Sequence, residues 1–265
     1  MVESAKINHT FAVCAYRDSV YIEDLFDSLK RQTVQSRVVV STSTPTDLLV
    51  QKAERYGIEV SINENGTGGI VGDWDAAYAL AETDYVTLAH QDDIYEPTYA
   101  ERVLELLARS TNPVLAYTDY FEIRGEKREI ENSLLVIKRH MNRPIKLFPR
   151  SRFVRNRVLS IGDPICCPAI TFNKKRFHDF KFDSEYRNSM DWEALSRFAR
   201  EKGDFLYVPE PLMGHRIHEG SETTENIQNG ARYREDLSIL QRYWPAPIAN
   251  LVMKFYSKSM DSNEA

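Results

Sequence analysis

The chain has 265 residues, with 34 Lys and Arg against 39 Asp and Glu and a formal net charge of −5 at pH 7. That length allows one large α/β domain or two small ones around a sizeable core. The charge balance excludes a general attraction to nucleic acid or acidic lipid, so an anionic ligand must be held by local groups or a metal. The three cysteines, Cys14, Cys166 and Cys167, are few for this size, and an adjacent pair bridges only with strain, which points to a reducing compartment. The first residues lack a basic stretch followed by an apolar core, and no run reaches the ~20 apolar residues of a membrane span. A cytoplasmic protein is expected, with docking at the inner face of the membrane left open.

In chain order, residues 10–15 read as a short buried strand, followed by the polar turn Tyr16, Arg17, Asp18, Ser19. Ile22, Leu25, Phe26 and Leu29 recur at helical spacing, with Ser19 or Asp18 available as the cap. Residues 37–41 predict a second strand, 42–47 a polar loop offering a helix cap, 47–56 a helix stopped at Gly57, and 58–62 a third strand. These repeats predict an open, largely parallel sheet whose ligands bind in the loops after the strands. The Gly-rich stretch 63–69 leads into a helix over 70–81. It matches neither the dinucleotide fingerprint nor the phosphate-loop pattern and is read as a flexible connection without a nucleotide role.

Residues 85–89 form the central strand, which ends in His90, Gln91, Asp92 and Asp93. Adjacent carboxylates at a strand end are hard oxygen ligands suited to Mg²⁺ or Mn²⁺, with substrate phosphates completing the shell. The same pair also suits a solvated loop in which Asp caps the next helix. A helix follows Pro97 over 98–108, then a strand over 114–123. Residues 124–157 are rich in Lys and Arg and read as a solvated, partly mobile insertion, a candidate contact for an anionic acceptor or lipid head groups. Residues 161–172 return to a turn and a buried strand, with Cys166 and Cys167 as small core residues.

A helix over 190–200 carries Asp191 near its start, where it is either a capping acid or a base presented to a cleft. On sequence alone the cap is preferred. After a strand over 205–209, His215, Arg216 and His218 fall in one polar run beside Gly220 and Ser221, which fits a phosphate or metal site. Residues 233–258 predict one or two amphipathic helices, with 246–259 packing on the chain rather than lying on a membrane.

In this order the segments resemble the family 2 glycosyltransferases of the nucleotide-sugar-binding GT-A fold, from about Thr10 to Ser221. Val13-Cys-Ala-Tyr-Arg17 resembles the motif usually written Ile-Pro-Thr-Tyr-Asn, and Gly72-Asp-Trp-Asp-Ala-Ala the helix written Asn-Trp-Asn. Leu88-Ala-His-Gln-Asp-Asp is similar to the metal-binding Asp-X-Asp region, with His90 at the first acidic place and Asp92 at the last. Asp191-Trp-Glu resembles the helix of the catalytic base, and His215-Arg-Ile-His-Glu-Gly-Ser the segment that closes over the donor. Two positions depart from the pattern. Thr42 stands where an acid usually contacts the nucleotide base, which leaves guanosine, cytidine and thymidine donors open beside uridine, and Ala15 lacks the usual hydroxyl.

The resemblance implies an α/β fold, a GT-A-type Rossmann-like sandwich with a mostly parallel central sheet flanked by helices. It implies a domain over 1–225, with a nucleotide-sugar half (1–120) and an acceptor half (121–225), and a C-terminal helical extension over 226–265. The implied activity is inverting, metal-dependent transfer of a sugar from a nucleoside-diphosphate sugar to an acceptor hydroxyl, in surface polysaccharide or glycoconjugate synthesis. Asp191 is the implied base. Ala15, Tyr16, Asp18, Thr42, Trp74, Asp75, Asp92, Asp93 and Arg216 are the implied donor-binding residues, and Asp92 and His218 the ligands of Mn²⁺ or Mg²⁺. The implied partners are a nucleotide-sugar donor and a glycan or lipid-linked acceptor, with peripheral membrane association and no nucleic acid. The alternative is a non-catalytic GT-A-fold module in a polysaccharide-assembly complex. A nucleotidyltransferase ranks last, because no glycine cluster follows the first strand.

Overall fold

The computed structural model describes residues 8–64, 69–218 and 230–261. Among these, the chain opens with β1 (His9–Ala15), α1 (Ile22–Lys30), β2 (Arg37–Thr42), α2 (Asp47–Arg55), β3 (Glu59–Ile62), α3 (Gly69–Leu80) and β4 (Tyr85–His90). It continues through β5 (Ile94–Tyr95), α4 (Tyr99–Arg109), β6 (Pro113–Arg124), β7 (Lys127–Glu129), α5 (Ser133–Leu147) and α6 (Arg152–Leu159). It closes with β8 (Ile170–Asn173), α7 (Met190–Phe198), β9 (Asp204–Ile217), α8 (Ala231–Gln241) and α9 (Ala246–Asp261).

One sheet holds these strands in the order β3, β2, β1, β4, β8, β6, β9, β5, with β7 added on β6. The expected parallel pairing holds from β3 to β4. Beyond β4 the sheet is mixed. β8 leaves a short 3₁₀ turn, Cys167–Ala169, beside the end of β4 and runs back antiparallel to both β4 and β6. β9 is parallel to β6, while β5 and β7 run antiparallel to their neighbours.

The side chains of β1 explain the two layers of core. Phe11 and Val13 face one side with Leu25, Phe26, Val40 and Tyr99, while Ala12 faces the other with Val39, Trp74, Tyr78 and Leu88. Alternation with period two thus sends successive residues of one strand into different helix layers. Ile22, Leu25, Phe26 and Leu29, picked out by their spacing, are all buried on α1.

Two segments differ from the sequence expectation. The basic stretch 124–157 is not a mobile insertion: it folds as β7, α5 and α6, with Leu135, Ile145 and Leu159 buried. Its charges hid a packed face. Arg155 is itself buried, with its guanidinium 4.6 Å over Phe205 and donating to the carbonyls of Ala199 (2.9 Å) and Gly203 (2.7 Å), so it caps the end of α7. The strand expected at 205–209 and the polar run after it, as far as Ile217, are one strand, β9. Its register against β6 shifts on either side of Asp119, where Pro209 and Pro211 remove ladder donors without ending the strand.

Candidate active site

The register brings three strand ends to one edge, since Ala15 lies opposite Thr42 of β2 and Cys14 opposite His90 of β4. Such an edge, at the carboxyl ends of parallel strands, is where open α/β sheets hold ligands. Gln91 fastens the loop after β1 to it: its amide donates to the Tyr16 carbonyl at 3.0 Å, and its oxygen accepts the Tyr16 N–H at 3.1 Å. Arg17 follows with φ 54°, a left-handed conformation costly for a residue with a side chain, and its N–H donates to the Thr44 hydroxyl. Asp18 accepts the hydroxyl of Thr46, which in turn accepts the Leu49 N–H and caps α2. It does not cap α1, as expected for it or Ser19. The α1 cap residue is Tyr21, which makes no side-chain cap bond.

The antiparallel pairing of Ile94 with Gly214 brings the segment just before β5 against the end of β9. Gly214 lets β9 approach β6 closely, since a Cβ there would meet the Phe121 ring at 2.6 Å. Asp93 is fully buried. One oxygen accepts the Arg216 N–H at 2.9 Å and the His215 ring at 3.2 Å, while the other has no partner and lies 3.8 Å from His90. Burial alone would raise the Asp93 carboxyl, but the charges of His215 and His90 and the Arg216 N–H outweigh it and hold the group below its ordinary value. Asp92 accepts from the His218 ring at 3.0 Å. Arg216 braces this turn: Nε donates to the Asp92 carbonyl at 2.8 Å, Nη2 to Asp24 at 3.0 Å, and the guanidinium stacks 4.2 Å over Tyr21.

Among the described residues no group of three or more His, Cys, Asp and Glu converges on one point. The Asp92–His218 pair nevertheless fits a divalent ion, because Mg²⁺-type sites commonly use one or two protein ligands and complete their shell with substrate phosphates and water. The imidazole beside the carboxylate suits Mn²⁺ equally.

Thr42, Trp74 and Asp75 lie on two sides of this edge. The buried Thr42 hydroxyl accepts the Thr44 N–H at 3.1 Å. Trp74 packs on the His90 ring, with centroids 5.0 Å apart. Asp75 faces away from β2 and accepts the Phe182 N–H at 2.9 Å. Burial raises its carboxyl above the usual range, against that bond and the charges of Lys181 and Arg197. The residue that sequence reasoning missed is Asp73. Its two oxygens accept Ser43 at 2.9 Å and the Asn63 amide at 3.1 Å, so α3 supplies the carboxylate that β2 lacks at Thr42. The signal available was the acid two positions before Asp75, which helical geometry turns to a different side.

Asp191 stands on the first turn of α7, where its carboxylate accepts the Trp192 N–H at 2.9 Å. Burial pushes the Cys166 thiol well up, against Lys138, and the charges of Asp93, Asp191 and Asp163 add to the shift. One thiol thus feels both the strand-end carboxylate and the α7 carboxylate. Asp163 is buried and accepts the Ile165 N–H at 3.0 Å. Glu219, Gly220 and Ser221 lie outside the described residues.

A mixed α/β sheet flanked by helices, with carboxylates at a strand end and another on a later helix, defines a GT-A-type fold. Residues 10–180 match the model of glycosyl transferase family 2, and the chain belongs to that family. The comparison with curated proteins finds no match. Among solved structures, residues 1–349 of S. aureus TarS superpose with a TM-score of 0.65 at 15% identity, covering 93% of this chain and 69% of that one. The same TarS fragment in complex with UDP-GlcNAc gives 0.66 at 16% identity, covering 93% and 70%. Mannosyltransferase PcManGT from Pyrobaculum calidifontis, in complex with GDP-Man and Mn²⁺, gives 0.61 at 13% identity, covering 92% and 68%.

Proposed function

We propose that the chain is an inverting glycosyltransferase that moves a sugar from a nucleoside-diphosphate sugar to an acceptor hydroxyl in surface polysaccharide or glycoconjugate synthesis. The observation that carries this reading is the meeting of Asp92 with His218 at 3.0 Å, at the edge formed by the ends of β1, β2 and β4. That TarS was solved with UDP-GlcNAc and PcManGT with GDP-Man and Mn²⁺ supports a nucleotide-sugar donor held with a divalent ion.

In this reading the half over 1–120 binds the donor. Ala15, Tyr16, Asp18, Thr42 and Trp74 surround the nucleotide, and Asp73 joins them in place of Asp75, which is turned to Phe182. Asp93 and Arg216 shape the floor beneath the diphosphate. Asp92 and His218 would hold Mn²⁺ or Mg²⁺, which when bound supplies Lewis-acid neutralisation of the departing diphosphate. Asp191, in the half over 121–225, takes the proton of the acceptor hydroxyl. The acceptor oxygen then forms its bond to the anomeric carbon as the bond to the donor phosphate breaks, and attack from the opposite face inverts the centre. The extension over 226–265 contributes the helices α8 and α9 among its described residues. In this reading the protein works at the inner face of the membrane, associated peripherally through the exposed Leu147, Phe148 and Phe153 among Lys146, Arg150 and Arg152.

The test is calorimetry with a panel of UDP-, GDP-, CDP- and dTDP-sugars, with and without Mn²⁺, followed by transfer assays of Asp191→Asn. One donor is expected to bind only with metal. The variant is expected to keep that binding and to lose transfer by roughly 10²–10⁴-fold. No metal-dependent binding of any donor would favour a non-catalytic module, and transfer near the wild-type rate would remove Asp191 as the base.

A further inference from the structure

We propose that α8 belongs to the catalytic apparatus: Glu235 is a positioning residue that clamps the loop before α7 and so fixes where Asp191 stands. This rests on Asp191 being the base.

The Oε2 atom of Glu235 accepts three successive backbone N–H groups, those of Arg187 (3.1 Å), Asn188 (2.7 Å) and Ser189 (2.9 Å). Its Oε1 accepts the Asn188 side-chain amide at 2.9 Å. Consecutive N–H groups converging at a helix start form an anion-binding nest, here filled by a carboxylate of the same chain. The last clamped amide, Ser189, is the cap residue of α7, and Asp191 is two residues beyond it.

The neighbouring Asp236 is buried and accepts the Ser189 hydroxyl, so Ser189 makes no side-chain cap bond to its own helix. Farther along, Arg242 donates to Glu193 at 2.7 Å and to the Tyr186 hydroxyl at 2.8 Å, and Tyr243 donates to Ser196 at 3.0 Å. At the start of α7 the Ser189 N–H is thus satisfied from α8, and the Trp192 N–H by Asp191 itself. Apolar burial of Trp192, Leu195 and Phe198 fastens α7 to the core, but such contacts are non-directional. The charge-assisted bonds to residues 187–189 fix the orientation of its first turn.

The experiment uses the full chain, Mn²⁺ and the nucleotide sugar that turns over in the donor panel. Glu235→Ala is expected to lower kcat by about 10²-fold, the typical cost of a misplacement of about 1 Å. The Mn²⁺-dependent donor affinity should stay within about two-fold, since the donor side is built from other elements. Hydrogen exchange of the amides at 187–193 should quicken. Glu235→Gln should restore most of kcat, because its oxygen still accepts the N–H groups and its amide can donate to the Asn188 oxygen once that side-chain amide turns over. The double variant with Asp191→Asn should be no slower than Asp191→Asn alone, because both changes remove one function.

The proposal is overturned if Glu235→Ala keeps kcat within about two-fold of wild type, or if its loss multiplies that of Asp191→Asn. A parallel fall in donor affinity also overturns it, as that marks general loosening. Should the alanine variant fail to fold, Glu235→Asp, one methylene shorter, carries the same comparison. Wild-type transfer by Asp191→Asn would instead remove the base assignment itself.

Discussion

Asp92 and His218, 126 residues apart in sequence, meet at 3.0 Å where the loop after β4 passes the end of β9. The pair exists because β5 zips onto β9 and because Arg216, two residues before His218, ties its guanidinium to the Asp92 carbonyl. If it is a metal site, Asp92→Asn should abolish the Mn²⁺-dependent part of donor binding. His218→Ala should weaken it by at least the roughly 10–100-fold that losing even an outer-shell partner of a bound metal costs. Calorimetry with the donor panel, with Mn²⁺ and then in chelator, checks both. Unchanged metal dependence in His218→Ala would remove it from the ligand set.

Asp73 provides a second test, directed at the nucleotide. Its carboxylate is held between Ser43 at the end of β2 and Asn63 just beyond β3. Removing it in Asp73→Ala leaves both groups without their charged acceptor, a loss on the order of 1.5–3 kcal/mol if neither finds water. The expected outcome is a higher KM for the donor, by roughly tenfold or more, with kcat unchanged, because the change affects binding in ground and transition states alike. A fall in kcat at constant KM would place Asp73 nearer the reacting sugar than the β2 end.

Much of the fold could be read in the chain because apolar period and strand-end chemistry are local. The spacing of Ile22, Leu25, Phe26 and Leu29 marked the buried face of α1, and the run into Asp92 and Asp93 marked the strand edge. What could not be read depends on long-range placement. Glu235 sits in a helix whose sequence carries no hint that three amides of a distant loop end on it. Asp73 and Asp75 are equivalent acids in sequence, and only the packing of α3 sends one toward β2 and the other to Phe182. The Lys and Arg residues of 124–157 suggested a solvated stretch, whereas the buried Arg155 uses its charge to satisfy carbonyls at the end of α7.

The corner between α5 and α6 bears on membrane association. Leu147, Phe148 and Phe153 are 73%, 58% and 71% exposed, within a stretch that also carries Lys146, Arg150 and Arg152. Apolar side chains interleaved with cations suit an anionic bilayer surface, where each basic residue adds about 1 kcal/mol and the apolar groups enter the interface. The wild-type chain should co-sediment with phosphatidylserine-containing vesicles and not with pure phosphatidylcholine. Replacing Leu147, Phe148 and Phe153 together by Ser should lower that binding by about tenfold or more, without changing turnover of soluble donor and acceptor. Equal sedimentation of variant and wild type would place the contact elsewhere.

The pH dependence of stability should report on Asp163. Burial, with the charge of Asp191, pushes its carboxyl from the ordinary 3.8 up to about 8, against the pull of the Ile165 N–H, Lys138 and Arg232. Between those values the folded chain keeps a proton that the unfolded chain has released, so stability falls as pH rises through that range. Asp163→Asn removes the group while its amide oxygen can still accept the Ile165 N–H. Its melting temperature should exceed that of wild type at pH 8, and its profile should flatten. Asp236, which burial raises to about 6 against Arg232 and Ser189, remains in the variant, so a slope should persist at lower pH and end near 6. Calorimetric melting from pH 5 to 8 separates the two contributions, and identical profiles would mean that the folded chain holds Asp163 ionised. Because an amide resembles the neutral acid, transfer by Asp163→Asn at pH 7 should stay within a few-fold of wild type. A collapse of kcat there would show that Asp163 acts as a carboxylate beside Asp191.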